Sequence, residues 1–161
     1  MNPLFNKYQG RNMKKITLIA SVLILFAMQS KSQMLQPVTW SYAAKKTSPT
    51  EAVVFIKATI DAGWHVYSQF VKDGGPVKTT INFTPSNTFT LVGKTIEPQP
   101  ITRMEKAFGM EVGFFENSVI FQQKVKLKAR QVTVNGKLEY MTCNDQKCLP
   151  PEDIEFSIPV K

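Results

Sequence analysis

Two stretches alternate between apolar and polar residues with a period of two, and they constrain the fold more than any other feature. "SVIFQQKVKLKA" (Ser118–Ala129) places Val119, Phe121, Val125, Leu127 and Ala129 on one face, with Gln122, Lys124, Lys126 and Lys128 opposite. "AVVFIKATI" (Ala52–Ile60) places Val54, Ile56, Ala58 and Ile60 on one face. Successive side chains of a strand point to opposite faces, so each stretch is a half-buried antiparallel strand. Shorter β-rich runs are "PVTWSYAAK", "GWHVYSQF", "TTINFTP", "FTLVGKTI", "GKLEYMTC" and "IEFSIPV". Turn residues separate them: Lys72-Asp73-Gly74-Gly75-Pro76, Pro85-Ser86-Asn87, Asn135-Gly136 and Pro150-Pro151-Glu152-Asp153. About eight short strands at regular spacing, with no amphipathic helix beyond the N-terminal segment, predict an all-β chain folded as a β-sandwich.

One stretch resists this pattern. "PQPITRMEKAFGMEVGFFEN" (Pro98–Asn117) mixes charges with two glycines and three phenylalanines. It is expected to be a long loop across the end of the sandwich, with room for one helical turn around Met104–Phe108; the plainer alternative to a functional loop is an irregular connection pinned by Phe114 and Phe115 in the core. Long ordered loops in compact domains are often functional. Trp40 and Trp64 are expected in the core, and Met104, Met110 and Met141 as fillers of gaps in packing.

The N-terminus has a different logic. Met13-Lys14-Lys15 precedes the apolar run "ITLIASVLILFAM" (Ile16–Met28), and small and polar residues follow it. Basic, apolar and small-residue segments in that order make a secretory signal peptide, with cleavage expected near Ser32/Gln33. The apolar run is shorter than the roughly 20 residues that span a bilayer, which weighs against an uncleaved anchor. The expected organisation is therefore a signal peptide over 1–32, with Met13 as a possible true start, and one domain over 33–161. Removing 1–32 takes away five of the 20 basic residues (Lys7, Arg11, Lys14, Lys15 and Lys31) and none of the 12 acidic ones, so the net charge falls from +8 to +3. The basic cluster that nucleic-acid binding requires does not survive this step. Lys124 to Arg130 reads instead as the wet face of a strand, and nothing suggests an obligate dimer.

The two cysteines, Cys143 and Cys148, lie in "YMTCNDQKCLPP" with four residues between them. Export would place them where a disulfide persists. Asn144 and Asp145 suit a turn because their side chains hydrogen-bond nearby backbone. Flanking residues of such a hairpin have Cβ atoms about 4.5–5.5 Å apart, close enough to bridge after modest adjustment. As a staple the bond would contribute only about 2 kcal/mol, because the loop is so short. Short exposed disulfides tend to be labile, and Lys147 favours a thiolate at Cys148 while Asp145 opposes it. Spacing and turn chemistry leave staple and redox centre both open. Two thiolates and the lone His65 make an incomplete zinc site, so no metal or cofactor is expected.

"YMTCNDQKCLPP" with Glu152 following resembles the active-site hairpin of the N-terminal periplasmic domain of the thiol:disulfide interchange protein DsbD. "DAGWHVYSQ" resembles that family's Gly-aromatic-x-x-Tyr strand, and "EKAFG" (Glu105–Gly109) its acidic-x-aromatic-aromatic-Gly cap loop. The three segments come in the family's order. The resemblance implies an immunoglobulin-like β-sandwich with the cysteine pair on a hairpin at one end. It implies a periplasmic module that relays electrons through a reversible Cys143–Cys148 disulfide to or from thioredoxin-fold proteins, among them a disulfide isomerase and a factor in cytochrome c maturation. By position, Cys148 would form the mixed disulfide and Cys143 would resolve it. Phe108 and Gly109 would lie in the cap, Glu105 would be the acidic neighbour, and Tyr67 and His65 would line the site. For His65 the plainer reading is a packed or hydrogen-bonded core histidine.

The sequence departs from the family pattern in places. The cysteine spacing is one residue shorter. Ala107 stands where an aromatic usually faces the disulfide, which leaves Phe108 to substitute or the shield thinner. Lys106 replaces an acidic residue. No membrane or thioredoxin domain follows Lys161, so the expected electron donor is a separately encoded membrane protein. The competing function is a secreted immunoglobulin-like binding module with a purely structural disulfide.

Overall fold

The computed structural model describes residues 35–161, so the expected signal peptide over 1–32 lies outside the described residues. Eleven strands make up the domain, and no helix occurs among the described residues. They are β1 (Val38–Ser48), β2 (Glu51–Ile60), β3 (Trp64–Tyr67), β4 (Thr80–Phe83), β5 (Phe89–Ile96), β6 (Ile101–Glu105), β7 (Met110–Phe115), β8 (Ser118–Leu127), β9 (Val132–Tyr140), β10 (Thr142–Asn144) and β11 (Glu152–Val160). Three antiparallel sheets result, with strand orders β1-β2-β8-β5, β10-β3-β7-β6 and β11-β9-β4.

The two alternating stretches are β2 and β8, paired with Ile56 opposite Phe121 and Ala58 opposite Val119. Val54, Ile56, Ala58, Val119, Phe121 and Val125 are all buried, while Gln122, Lys124, Lys126 and Lys128 face solvent. Ala129 is exposed and lies beyond the end of β8. The inner face of this sheet packs on Val134, Leu138, Phe156 and Ile158 of β9 and β11, which gives the sandwich its main core. Trp64 is buried in it, and half-buried Trp40 packs against Phe121 and Tyr140.

A second, smaller cluster sits on the far side of β3 and β7. Trp64 and Val66 of β3 and Phe115 of β7 enter the main core. Tyr67 and Phe114 belong to the second cluster with Val71, Val112 and Cys143. Both faces of these two strands are therefore covered.

Several expectations are corrected here. Pro98–Asn117 is not a long loop: β6 and β7 form a hairpin, closed by Gly109 N–H donating to the Glu105 carbonyl at 2.9 Å. Alternation is hidden in it for two reasons. β6 is an edge strand with Ile101, Thr102 and Met104 exposed, and β7 is covered on both faces. Asn135-Gly136 is not a turn but lies inside β9, with Gly136 opposite both Phe156 and Phe83. A Cβ there would clash with Phe156 Cζ and lie 2.5 Å from the Asn82 carbonyl, so glycine makes room for a ring. "GKLEYMTC" is not one strand, because the chain leaves β9 at Met141 and changes sheet to become β10. Met110 and Met141 fill the second cluster as expected, whereas Met104 is 64% exposed.

Candidate functional site

The second cluster is the floor on which the cysteine turn stands. β10 pairs with β3 so that Cys143 lies directly opposite His65. Thr142 fixes this register further, its hydroxyl donating to the His65 carbonyl at 2.9 Å. The chain then reverses through Asn144–Lys147. Asn144 Oδ1 accepts from the amides of Gln146 (2.9 Å) and Lys147 (2.8 Å), as a turn-forming asparagine does. Two backbone bonds close the ring, Asn144 N–H to the Lys147 carbonyl and Leu149 N–H to the Thr142 carbonyl, each 2.9 Å. Cys143 and Cys148 are thereby bridged as antiparallel neighbours with Cα atoms 4.0 Å apart, and they form a disulfide.

The two sulfur-bearing residues differ in exposure. Cys143 is 2% exposed and belongs to the floor, while Cys148 is exposed. Both line a cleft of about 500 Å³. Its facing wall is the end of β6 and the turn after it, with Arg103, Met104, Glu105, Lys106 and Ala107.

Charges tie the two walls together. Arg103 Nη2 lies 3.6 Å from Glu105 Oε2 on its own wall and 3.9 Å from Asp145 Oδ1 in the cysteine turn. Its guanidinium stacks over Phe114, 4.4 Å from the ring centroid, and Nη2 sits 3.4 Å from His65 Nδ1. The other nitrogen of His65, Nε2, is 3.1 Å from the Tyr67 hydroxyl. Burial, and then the Arg103 charge, lower the His65 pKa to about 4, against the pull of Asp145. Burial, and then Glu105, raise Tyr67 to about 12, against Arg103. Both side chains are neutral near pH 7.

Each sequence-predicted residue has a definite place. Cys143, Cys148 and Glu105 line the cleft. His65 and Tyr67 lie under it, 2% and 0% exposed, and His65 is both packed and hydrogen-bonded. Gly109 ends the turn between β6 and β7 with φ of 63°, a left-handed conformation that suits glycine. Phe108 is half-buried in that turn, and Ala107 is the residue that lines the cleft. Sequence reasoning missed Arg103, Phe114 and Thr142. Thr142 adjoins a cysteine, but Arg103 lies 40 positions before Cys143, with which it shares the cleft, and carries no motif.

Fold and site together define a class: a β-sandwich with a disulfide on a tight hairpin, one cysteine of the pair buried and the other exposed. The chain belongs to the family described as "Thiol:disulfide interchange protein DsbD, N-terminal", which it matches over residues 31–159. Among solved structures it is similar to the N-terminal periplasmic domain of ScsB from Proteus mirabilis, with 22% identity and a TM-score of 0.55, over 79% of this chain and 49% of that one. The chain thus spans about half of the ScsB domain's length. It is also similar to the DsbD N-terminal domain of Neisseria meningitidis in its reduced form, with 18% identity and a TM-score of 0.52, over 81% of this chain and 93% of that one. A third similar structure is the complex between the DsbD N-terminal and PilB N-terminal domains of N. meningitidis, with 17% identity and a TM-score of 0.51, over 78% of this chain and 88% of that one. These structures support the fold. No curated protein matches the sequence.

Proposed function

We propose that this protein is a periplasmic thiol–disulfide exchange module that passes electrons through a reversible Cys143–Cys148 disulfide to or from thioredoxin-fold partners. The observation that carries this reading is the asymmetry of the pair: an exposed Cys148 and a buried Cys143 on one short turn, at the wall of an open cleft. Exchange needs one reachable sulfur and one nearby sulfur that can leave and return. A partner thiolate would reach Cys148 and form the mixed disulfide there, and Cys143 would resolve it. The turn Glu105–Gly109 is the cap facing the pair, with Glu105, Lys106 and Ala107 on the cleft and Phe108 half-buried behind them. The known complex of a related domain with a PilB domain supports docking of a partner domain on this module. Export by a signal peptide over 1–32, cleaved near Ser32/Gln33, and a membrane donor of electrons belong to the same proposal.

The deciding experiment is the reduction potential of the pair, read by equilibration in graded thiol buffers, alkylation of free thiols and counting by mass. The expected value lies above about −300 mV, the range of exchangeable pairs. A value well below that range would make the bond a staple and move the function to the surface of the sandwich.

A further inference from the structure

No motif singles out Arg103, yet it is the anchored cation of the cleft. Its guanidinium is stacked on Phe114 and lies within 4 Å of polar atoms of His65, Glu105 and Asp145. Lys106 and Lys147 also line the cleft, but both are exposed and neither is ion-paired among the described residues.

Reduction of the disulfide creates a charge at this place. A reductant thiolate attacks Cys148 Sγ, the S–S bond breaks, and its electron pair leaves on Cys143 Sγ as a thiolate. The second thiol of the reductant then attacks the mixed disulfide and releases Cys148. The reductant departs as a disulfide, and two electrons and two protons have passed to the pair. The leaving thiol's acidity governs the first step. Cys143 is 2% exposed, so water solvates the new anion poorly, and a buried charge is costly unless paired.

The groups around Cys143 can be sorted by what they offer. His65, its cross-strand neighbour on β3, is neutral near pH 7, as is Tyr67. Glu105 on β6 and Asp145 in the turn are anions, which oppose a thiolate. Lys106 and Lys147 are flexible and solvated. We propose that Arg103 is the positioning residue of the exchange reaction, a fixed positive charge that favours the Cys143 thiolate as the S–S bond breaks. This rests on the exchange reading above. It also gives the ion pairs of Arg103 a role: in the oxidised state Glu105 and Asp145 hold the guanidinium over the cleft, ready for a third anion.

The test uses the full chain as exported, with dithiothreitol as reductant, and the variants Arg103→Gln and Arg103→Lys. Arg103 stands on an edge strand with its side chain 37% exposed and belongs to neither buried cluster, so neither change removes a core side chain. The Gln variant should be reduced about three- to tenfold more slowly, with an equilibrium constant about tenfold lower, or about 30 mV more negative. Alkylation of Cys143, followed in a Cys148→Ser background, should move to higher pH in that variant. The Lys variant should recover the rate to within about twofold, because the charge is retained. A Gln variant that matches the native rate and alkylation profile would overturn the proposal, and so would a Lys variant no better than Gln, which would point to shape. If the native pair itself resists dithiothreitol, the exchange reading and this inference fall together. If the native pair exchanges readily and the Gln variant equals it, this inference alone falls.

Discussion

His65 shows how one buried side chain makes stability depend on pH. It is hydrogen-bonded to Tyr67, packed on Phe114 and faced by the Arg103 guanidinium, so its pKa falls from 6.5 to about 4 on folding. Between those values the unfolded chain binds a proton that the folded chain does not, so stability rises with pH across this window. The stabilisation is fully present above about pH 6.5 and is lost as pH falls towards about 4. A thermal unfolding series from pH 7 to pH 4 should therefore show a steeper decline for the native protein than for His65→Asn, which retains a hydrogen-bonding side chain. Parallel declines would assign the acid sensitivity to carboxylates elsewhere. His65 was visible in the sequence as the only histidine, in an aromatic run, and the sequence left its packing and its role as alternatives. Its partner Arg103 was invisible, because a lone arginine in a mixed segment has no pattern until the hairpin brings it to the cysteine turn.

At the scale of elements, legibility followed exposure. β2 and β8 each bury one face and wet the other, so their alternation could be read directly. β3 and β7 are covered on both faces, and β6 is an edge strand largely open to water, so the hairpin next to the cysteines had no alternation to read. Glycine misled in the other direction. Asn135-Gly136 has turn composition, but Gly136 sits in β9 between Phe83 and Phe156, whose rings meet edge to face with centroids 5.6 Å apart. Gly136→Ala should cost about 1–3 kcal/mol by overpacking, since the new methyl would press on a ring and on backbone. Urea unfolding measures this. A change of less than a few tenths of a kcal/mol would mean that the Phe156 ring moves aside freely.

For the whole molecule, the disulfide and the main core are largely separate matters. The core lies between the β1-β2-β8-β5 sheet and the strands β9 and β11, while Cys143 belongs to the smaller cluster beneath the cleft. The bond closes a loop of sequence separation 5 that backbone hydrogen bonds already hold. Replacing both cysteines by serine should cost about 2 kcal/mol. It should leave the circular dichroism spectrum and the urea m-value unchanged. Collapse of the sandwich on reduction would contradict this and make the bond a staple. The sequence by itself determined the all-β class, the long central strands and the closeness of the two cysteines, because these depend on side-chain period and on short chain separation. Only the tertiary structure decided that one sulfur is buried and the other exposed, and that Arg103 stands across the cleft from them. Those features depend on which strand of which sheet lies against the turn, and contacts between distant segments leave no local period in a chain.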